Sequence, residues 1–310
     1  MVGLALAAPV WASADYPDPR REIRHIMPWG AGGATDVAMR GFLQYMERYL
    51  GTRIITENIP GGLTAVGMLQ LKRAAPDGYT IGTATYDILT VEFQGLAPVS
   101  WRDFEVLGMV TEHPSALITR VGRFEDVNAF RNEALSRPGA VRVGNVGTGG
   151  VWHQHAAAME RALGVRVAHI PYQEGSGPQL AALLGGEVDA IVSSLPAALP
   201  FVREGKLKVL AVMADERDPL VPEAPTFREL GYSVVYGSFR ILLAPKGTPA
   251  VIVQRLEKAM DDAWHDPAFQ EWAQKAVIGA RWRNRAETIQ YLENLAPRIQ
   301  ALMRELGVAR

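Results

Sequence analysis

Cysteine is absent from this sequence of 310 residues. Its absence excludes disulfide bonds, thiolate metal sites and a cysteine nucleophile. An excess of charge of either sign is also lacking, since Lys and Arg total 32 and Asp and Glu total 33. A balanced chain does not build the strongly basic surface that nucleic acid or an anionic membrane attracts, so neither is expected as a partner.

Long apolar runs are missing as well, and no stretch approaches the roughly 18 apolar residues of a membrane-spanning helix. A shorter apolar stretch opens the chain, MVGLALAAPVWASA, and it ends in Ala12-Ser13-Ala14. An Ala-x-Ala sequence is typical of signal-peptidase cleavage sites. We therefore expect residues 1–14 to be a residual signal peptide, with Asp15 near the mature start, and the chain to be exported. The alternative is an apolar N-terminus that frays without being a leader.

Residue sets that could carry catalysis are sparse. No Gly-x-Ser-x-Gly sequence occurs, and Ser193-Ser194 has no base near it in the sequence. His153 and His155 are two positions apart, so on a helix they point in different directions and cannot share a metal ion. The sequence therefore predicts neither an enzyme nor a metal site.

Two regions repeat the order strand, glycine-rich turn, helix, strand, helix, strand. The first has strands at 23–27, 53–57 and 79–85, a turn at 30–36 and a helix that Gly51 ends. The second has strands at 141–145, 165–172 and 188–194, a turn at 147–150 and a helix that Gly164 ends. This alternation predicts an α/β fold with two parallel-type sheets flanked by helices, one sheet in each of two lobes.

The C-terminal part adds helices at 249–264, 267–276 and 285–306 without a further sheet. We expect these helices to pack on the first lobe. Two crossover strands, near 105–112 and 231–240, would then join a first lobe of residues 15–108 and 238–310 to a second lobe of residues 109–237. A double crossing of this kind is typical of a hinge that closes on a ligand.

The two glycine-rich turns are candidate anion sites. A helix begins after each turn, and its first N–H groups are unpaired and carry the positive end of the helix dipole. Small residues leave these N–H groups open to an anion, Thr35 and Thr148 add hydroxyl donors, and Asp36 is placed to cap the first helix. Three aromatic side chains near the turns are candidates to wall an apolar cleft: Trp29, Tyr86 and Trp152.

A nucleotide is one anion to consider. Gly30-x-Gly32-x-x-Thr35 resembles the dinucleotide-binding fingerprint without its third glycine, and Glu57 lies near the distance of the ribose-binding acid. A nucleotide-dependent α/β enzyme therefore stays open as an alternative, although two small paired turns favour a carboxylate.

A set of ordered motifs resembles a known family. From Tyr16 onward the chain contains YPDPRREIRHIMPWGAGGATDVAMR, ENIPGG, APDGYTI, GTGGVWH, IPYQEGSGPQLAALLGGEVDAI, GKLKVLAV, PEAPTFRELG and APKGTP. These pieces are similar, in content and order, to the periplasmic solute-binding receptors of tripartite tricarboxylate transporters, the Bug or TctC-like family. The resemblance implies a two-lobed periplasmic-binding-protein fold, type II-like, with two crossover strands and no cofactor.

The resemblance also implies a site, in which a ligand carboxylate lies between the turns and is bound by backbone N–H groups, hydroxyls and waters. Carried over, the turns are 29–36 and 147–153. The predicted ligand-binding residues are Trp29, Ala31, Gly32, Gly33, Ala34, Thr35, Asp36, Tyr86, Gly147, Thr148, Gly149, Gly150, Trp152, His153, Ser193 and Arg240.

This chain departs from the family pattern at three places. Many members have Asp at the position of Ser193 and an aromatic-Gly pair at the position of Arg240-Ile241, and the segment around Glu174 is one residue longer than the common form. These differences fall where ligand identity would be determined, so the resemblance does not identify the ligand.

Together, the residues and the resemblance predict an exported, monomeric solute-binding protein that captures an organic carboxylate and delivers it to membrane subunits of a tripartite tricarboxylate-type transporter. Arg240, on the return crossover, is expected to bind a second carboxylate distal to the first, which suggests a dicarboxylate. A receptor that reports to a signalling partner is the alternative, and the sequence does not decide between the two roles.

Overall fold

The computed structural model describes residues 16–172 and 176–309. Within them the strands are β1 Ile23–Met27, β2 Ile54–Asn58, β3 Thr80–Thr85, β4 Phe104–Arg120, β5 Arg142–Asn145, β6 Ala168–Pro171, β7 Ala190–Ser194, β8 Leu207–Val212, β9 Gly237–Pro245 and β10 Ala280–Arg283. The helices are α1 Ala34–Leu50, α2 Ala65–Lys72, α3 Asp87–Gln94, α4 Val127–Ser136, α5 Val151–Leu163, α6 Ser176–Gly185, α7 Leu195–Arg203, α8 Ala250–Trp264, α9 Pro267–Lys275 and α10 Arg285–Glu305. The expected signal peptide at 1–14 and the added residue near Glu174 lie outside the described residues and stay predictions.

The first sheet has a parallel centre and antiparallel additions. β1 pairs in parallel with β2 on one side and β3 on the other. β9 then pairs antiparallel with β3, β4 antiparallel with β9, and β10 antiparallel with β4. The carboxyl ends of β1 and β3 therefore meet at one edge of the sheet, which is where ligands bind in open α/β sheets.

The second sheet repeats this arrangement. β5 pairs in parallel with β6 and β7. β7 and β8 both pair antiparallel with β4. This confirms the predicted pair of sheets, with the difference that the crossover strands are antiparallel members of the sheets.

β4 is the first crossover, and its 17 residues take part in both sheets. Its residues up to Pro114 pair with β9, whereas those from Ser115 pair with β7 and β8. The change of partner thus lies after the predicted segment 105–112. The chain returns at Tyr236, whose N–H donates to Met213 and whose carbonyl accepts from Ser115 just before β9 begins. The two-lobed architecture is confirmed, while the residue boundaries of the lobes remain a prediction.

Helices cover both faces of each sheet. One face of the first sheet packs against α1, α8 and α9, with Phe42 and Phe269 in edge-to-face contact, and the other packs against α2, α3 and α10. In the second sheet the two apolar clusters involve α4 with α5 and α6 with α7. The C-terminal helices thus pack on the first sheet, so both sheets are buried as parallel strands require.

The helices that follow the turns end as the sequence predicts. α1 buries Met39, Phe42 and Met46 at helical spacing, and Gly51 ends the helix in the left-handed conformation at φ 75°. Gly164 ends α5 in the same way at φ 65°. A residue with Cβ is disfavoured in this conformation, which explains the two glycines. Among the described helices, none combines the length and apolar character needed to cross a membrane.

Candidate functional site

The first glycine-rich turn leaves the start of α1 open to solvent. Residues 30–34 are all exposed. Gly32 has φ 77°, and Gly33 forms the helix N-cap at φ −71° and ψ 163° with no side chain to cap it. The first backbone bond of the helix runs from Val37 to Gly33. Within the described residues the N–H groups of 34–36 therefore have no acceptor, and an anion can reach them.

Asp36 holds this turn but does not cap the helix as expected. It stands in the first turn of α1, and its buried carboxylate accepts the N–H of Gly32 at 2.9 Å. It also accepts from Arg40 at 2.9 Å and from Asn58 at 2.8 Å. Burial alone would raise the pKa of Asp36, but these hydrogen bonds outweigh it and keep the pKa below its ordinary value. The carboxylate is thus paired, which reduces its repulsion of an incoming anion.

Arg240 lies beside the same turn. It is on β9, where it pairs with Thr85 of β3 and Thr111 of β4. Its Nε donates to the Thr35 hydroxyl at 3.1 Å and its Nη1 to the Thr111 hydroxyl at 2.9 Å. The residue is only 9% exposed, and no Asp or Glu of the described residues forms an ion pair with it. Burial lowers the pKa of Arg240 to about 10, so it remains a cation near neutral pH.

A buried guanidinium without an anion is costly, because charges removed from water need a partner. The hydroxyl of Thr35 places this cation next to the open N–H groups of α1. One anion at this point could therefore meet the helix N-terminus and Arg240 together. The sequence instead predicts that Arg240 binds a second carboxylate, distal to the one held by the two turns, and that role stays a prediction.

Trp29 and Asp87 complete this edge of the first sheet. The half-buried Trp29 donates from Nε1 to the Thr85 hydroxyl at 3.3 Å, and that hydroxyl donates to Asp87 at 3.0 Å. Burial raises the pKa of Asp87 to about 6, although the hydrogen bond from Thr85 opposes the shift. Asp87 is not among the site residues predicted from sequence, although it lies two positions after a predicted strand and begins α3, which is a usable signal.

The second turn repeats the backbone of the first. Gly149 has φ 80°, and Gly150 is the N-cap of α5 at φ −73° and ψ 166°, again without a capping side chain. Gly149 donates its N–H to Nδ1 of His153 at 3.1 Å. Exposure differs between the turns, since Gly147, Gly149 and Gly150 are buried and Thr148 alone is exposed.

α3 of the first lobe covers the second turn. A Cβ on Gly149 would lie 1.7 Å from Nε2 of Gln94, which shows how closely that side chain approaches. Gln154 of α5 is fully buried, donates to the Thr90 hydroxyl at 3.0 Å and to the carbonyl of Gly149 at 2.7 Å, and accepts from Tyr86 at 2.9 Å. These bonds join the start of α5 to α3.

Tyr86 is therefore not an open wall of the cleft. It is 1% exposed, its hydroxyl is bound by Gln154, and its ring lies edge-on to His155 at 5.1 Å.

Trp152 is half-buried between apolar clusters of both lobes. Ser193 is buried on β7, and within the described residues its hydroxyl has no partner. The first turn, Arg240 and Trp29 thus form one group, and the second turn with His153 forms another.

His153 is neutral in this setting. Its Nδ1 accepts from Gly149, so in the neutral ring the proton lies on Nε2. Burial, and to a smaller extent the neighbouring His169 ring 4.9 Å away, lower the pKa of His153 to about 4. The second turn therefore offers N–H donors and an imidazole N–H without a fixed charge.

Comparison with known proteins places this chain in a family. The sequence model described as "Tripartite tricarboxylate transporter family receptor" matches residues 38–308. Protein BugT of Bordetella pertussis is 31% identical over 272 residues, which are 86% of this chain and 82% of BugT.

Solved structures agree with this result. A TctC solute-binding protein from Polaromonas is 30% identical, with a TM-score of 0.81 over 94% of this chain and 99% of that one. MatC from Rhodopseudomonas palustris, solved with bound malate, is 29% identical, with a TM-score of 0.78 over 92% of this chain and 99% of that one. These relatives are binding proteins, so the nucleotide-dependent enzyme considered above is not supported and the protein is not an enzyme. The chain belongs to the tripartite tricarboxylate transporter receptor family, as its ordered motifs predict.

Proposed function

We propose that this protein is an exported, monomeric solute-binding protein of the periplasm. It captures a small organic carboxylate between its two lobes and delivers it to the membrane subunits of a tripartite tricarboxylate-type transporter. Membership in the receptor family supports the transport role and the location. The malate bound to MatC supports a carboxylate as the class of ligand.

The buried cation Arg240 carries the proposal. Its guanidinium touches Thr35 at the open start of α1, and within the described residues no carboxylate neutralises it. A ligand carboxylate there would accept from the N–H groups of 34–36 and from a charge-assisted guanidinium donor. A carboxylate that leaves water loses its hydrogen bonds to water. The helix N-terminus and the cation replace these bonds, because both stabilise negative charge.

The second lobe would close on the ligand from the opposite side. The start of α5, with the uncapped Gly150 and the exposed Thr148, offers a further set of donors. β4 continues from one sheet into the other, and the chain returns at Tyr236 just before β9. These two crossings are the natural axis for such a closure. The remaining predicted ligand-binding residues, Ala31, Gly32, Gly147 and Trp152, would shape the cleft through backbone and apolar surface.

A thermal-shift panel tests the proposal. Aliphatic monocarboxylates, dicarboxylates and their half-amides of three to eight carbons are compared with NAD and NADP. A ligand at 100 times its Kd should stabilise the protein by roughly 2.7 kcal/mol. At least one carboxylate should raise the unfolding midpoint, and the nucleotides should not.

Arg240→Met is the matched variant for this panel. Charge-assisted hydrogen bonds contribute roughly 1.5–3 kcal/mol, so the variant should bind the active carboxylate about ten- to a hundredfold more weakly. Arg228→Met, at an exposed arginine paired with Asp215, is the control and should bind as wild type does. A panel in which no carboxylate raises the midpoint would contradict the proposed function.

A further inference from the structure

Positive charge is distributed unevenly around the two turns. On the side of the first sheet, Arg40 is paired with Asp36, and Arg240 has no acidic partner among the described residues. On the side of the second sheet, the segments 144–160, 170–172, 176–184 and 191–202 contain no Lys or Arg. These segments hold the carboxyl ends of β5, β6 and β7 and the starts of the helices that follow them. The two sides of the site therefore differ in charge.

Neutral polar groups stand at the uncharged edge. Asn145 ends β5, Ser193 lies near the end of β7, and Gln179 lies in the first turn of α6. All three side chains are at most 1% exposed. Within the described residues, no hydrogen bond is made by Oδ1 of Asn145, by the Ser193 hydroxyl or by either polar atom of Gln179. Such buried orphans are uncommon in native proteins, and each calls for a partner.

His153 adds a donor of the same neutral kind. Its Nδ1 is occupied by the N–H of Gly149, which directs the proton to Nε2. Its neighbour His169 is held by Asn145 at 2.9 Å and by Glu160 at 3.2 Å. The charged group in contact with His169 is thus the carboxylate of Glu160, which would repel a second anion.

Arg240 cannot provide a cation at the edge of the second sheet. Its hydrogen bond to Thr35 fixes the guanidinium at the first turn, where it would meet the same carboxylate as the N–H groups of α1. Among the described residues of these segments, a second carboxylate at the edge of the second sheet would lose its water and meet only neutral donors and the α5 dipole. A carboxamide or hydroxyl loses far less on leaving water, and it can both donate and accept.

We propose that the site selects an organic acid with a single carboxylate, seated on Arg240 and the first turn, and an uncharged hydrogen-bonding group at its other end. The inference rests on the proposed function and names its ligand class. It differs from the dicarboxylate expected from sequence, and the contact of Arg240 with Thr35 of the first turn supports the difference.

Isothermal calorimetry with matched pairs tests the inference: succinate with succinamate, glutarate with glutaramate, and adipate with adipamate. Each pair keeps the chain length and changes only the charge of one end. At pH 7.5 the half-amide of the best-fitting length should bind at least tenfold more tightly than its diacid.

Thr148→Lys supplies the missing charge. Thr148 is the exposed residue of the second turn, so a lysine there adds a cation without burying it. This variant should raise the affinity for the diacid at least tenfold relative to its half-amide. Thr148→Met, of similar length and no charge, removes the same hydroxyl for both ligands, so only the lysine variant should shift the preference toward the diacid.

The outcomes separate this inference from the proposed function. If a diacid binds the wild-type protein as tightly as its half-amide, or more tightly, the inference of an uncharged distal group is wrong, while the proposed carboxylate receptor stands. Failure of every mono- and dicarboxylate to bind would overturn both.

Discussion

Asp36 and His153 occupy equivalent positions in the two halves of the molecule. Each side chain accepts the N–H of a glycine four residues earlier, Asp36 from Gly32 at 2.9 Å and His153 from Gly149 at 3.1 Å. Both glycines have positive φ, and both precede an extended glycine N-cap. The same backbone turn is therefore held by a carboxylate in one half and by a neutral imidazole in the other.

The open N-cap of α1 gives the first prediction. Gly33→Ser should place a hydroxyl oxygen on the N–H groups of Thr35 or Asp36, which a ligand carboxylate would otherwise use. A Cβ at Gly33 meets nothing closer than the Gly30 carbonyl at 3.5 Å, so folding should survive. Stability should stay equal or rise by less than about 1 kcal/mol. Affinity for the active carboxylate should fall at least tenfold in calorimetry.

Gly30→Ser is the control for this change. It alters the same exposed turn, has open space around its Cβ, and cannot cap the helix. It should bind as wild type does, and equal losses in both variants would argue against the N–H groups as the site. Gly149 is less suitable for such a test, because its φ of 80° and the contact with Gln94 would strain any side chain.

Arg240 gives the second prediction, which concerns the ligand-free protein. An unpaired buried charge costs stability, and replacing it with a hydrophobic residue is often neutral or stabilising by roughly 1–4 kcal/mol. Arg240→Met should therefore leave the free energy of unfolding in urea unchanged or raise it. Arg123→Met should lower it, because Arg123 is paired with Glu133 and Asp189. A larger loss for Arg240→Met than for Arg123→Met would assign the guanidinium a structural role.

Gln154 gives the third prediction. Gln154→Leu should leave the Tyr86 hydroxyl, the Thr90 hydroxyl and the Gly149 carbonyl without a partner, at about 1–3 kcal/mol for each buried group. We expect a loss of about 3 kcal/mol or more in urea unfolding. Tyr86→Phe removes one of these bonds and should cost less. The double variant should lose less than the sum of the two, and strict additivity would mean that the two side chains do not interact.

Acid stability gives the fourth prediction. Burial holds the pKa of His25, His113 and His155 at about 3, whereas an unfolded histidine titrates near pH ~6.5. Between these values the unfolded chain binds protons that the folded chain does not, so stability is full above pH ~6.5 and falls as the pH falls. Asp87 offsets the proton uptake of one histidine. Its folded pKa is raised to about 6, so near pH 5 the folded chain binds a proton at Asp87 that the unfolded chain does not. His153, whose folded pKa is about 4, adds one more proton, so the net uptake of roughly three protons corresponds to about 4 kcal/mol per pH unit near pH 5.

Urea titrations at pH 7, 6 and 5 measure this slope. His113→Gln should reduce it by about one proton, whereas His265→Gln, at an exposed position, should leave it unchanged. A free energy of unfolding that stays flat from pH 7 to pH 5 would contradict the low pKa values of the buried histidines.

Much of the fold follows from local sequence patterns. β1 has the predicted bounds, and Gly51 and Gly164 end their helices as expected, because helical periodicity and a left-handed C-cap are local properties. α7 is not predicted from sequence, since Pro200 lies inside it and proline disfavours a helix interior. The full length of β4 was also missed, because its two halves find their partners in segments distant along the chain.

The candidate site was predictable only in part. The turns and the donors Thr35 and Arg240 could be named from sequence, but the contact between these two joins residues far apart in the chain. The capping role expected of Asp36 is wrong because the glycine three positions earlier takes the N-cap. The cover that α3 places over the second turn depends on the packing of Gln94 and Gln154, which no local pattern reveals.

The shared strand β4 has a consequence for how such receptors can change during evolution. Because residues before Pro114 and after Ser115 complete different sheets within one unbroken strand, neither half can be exchanged between relatives as a module with a single junction. A functional chimera needs junctions in β4 and again before β9, chosen so that both ladders keep their register. New ligand preferences in this architecture should therefore arise through substitutions at the turns more readily than through recombination of lobes.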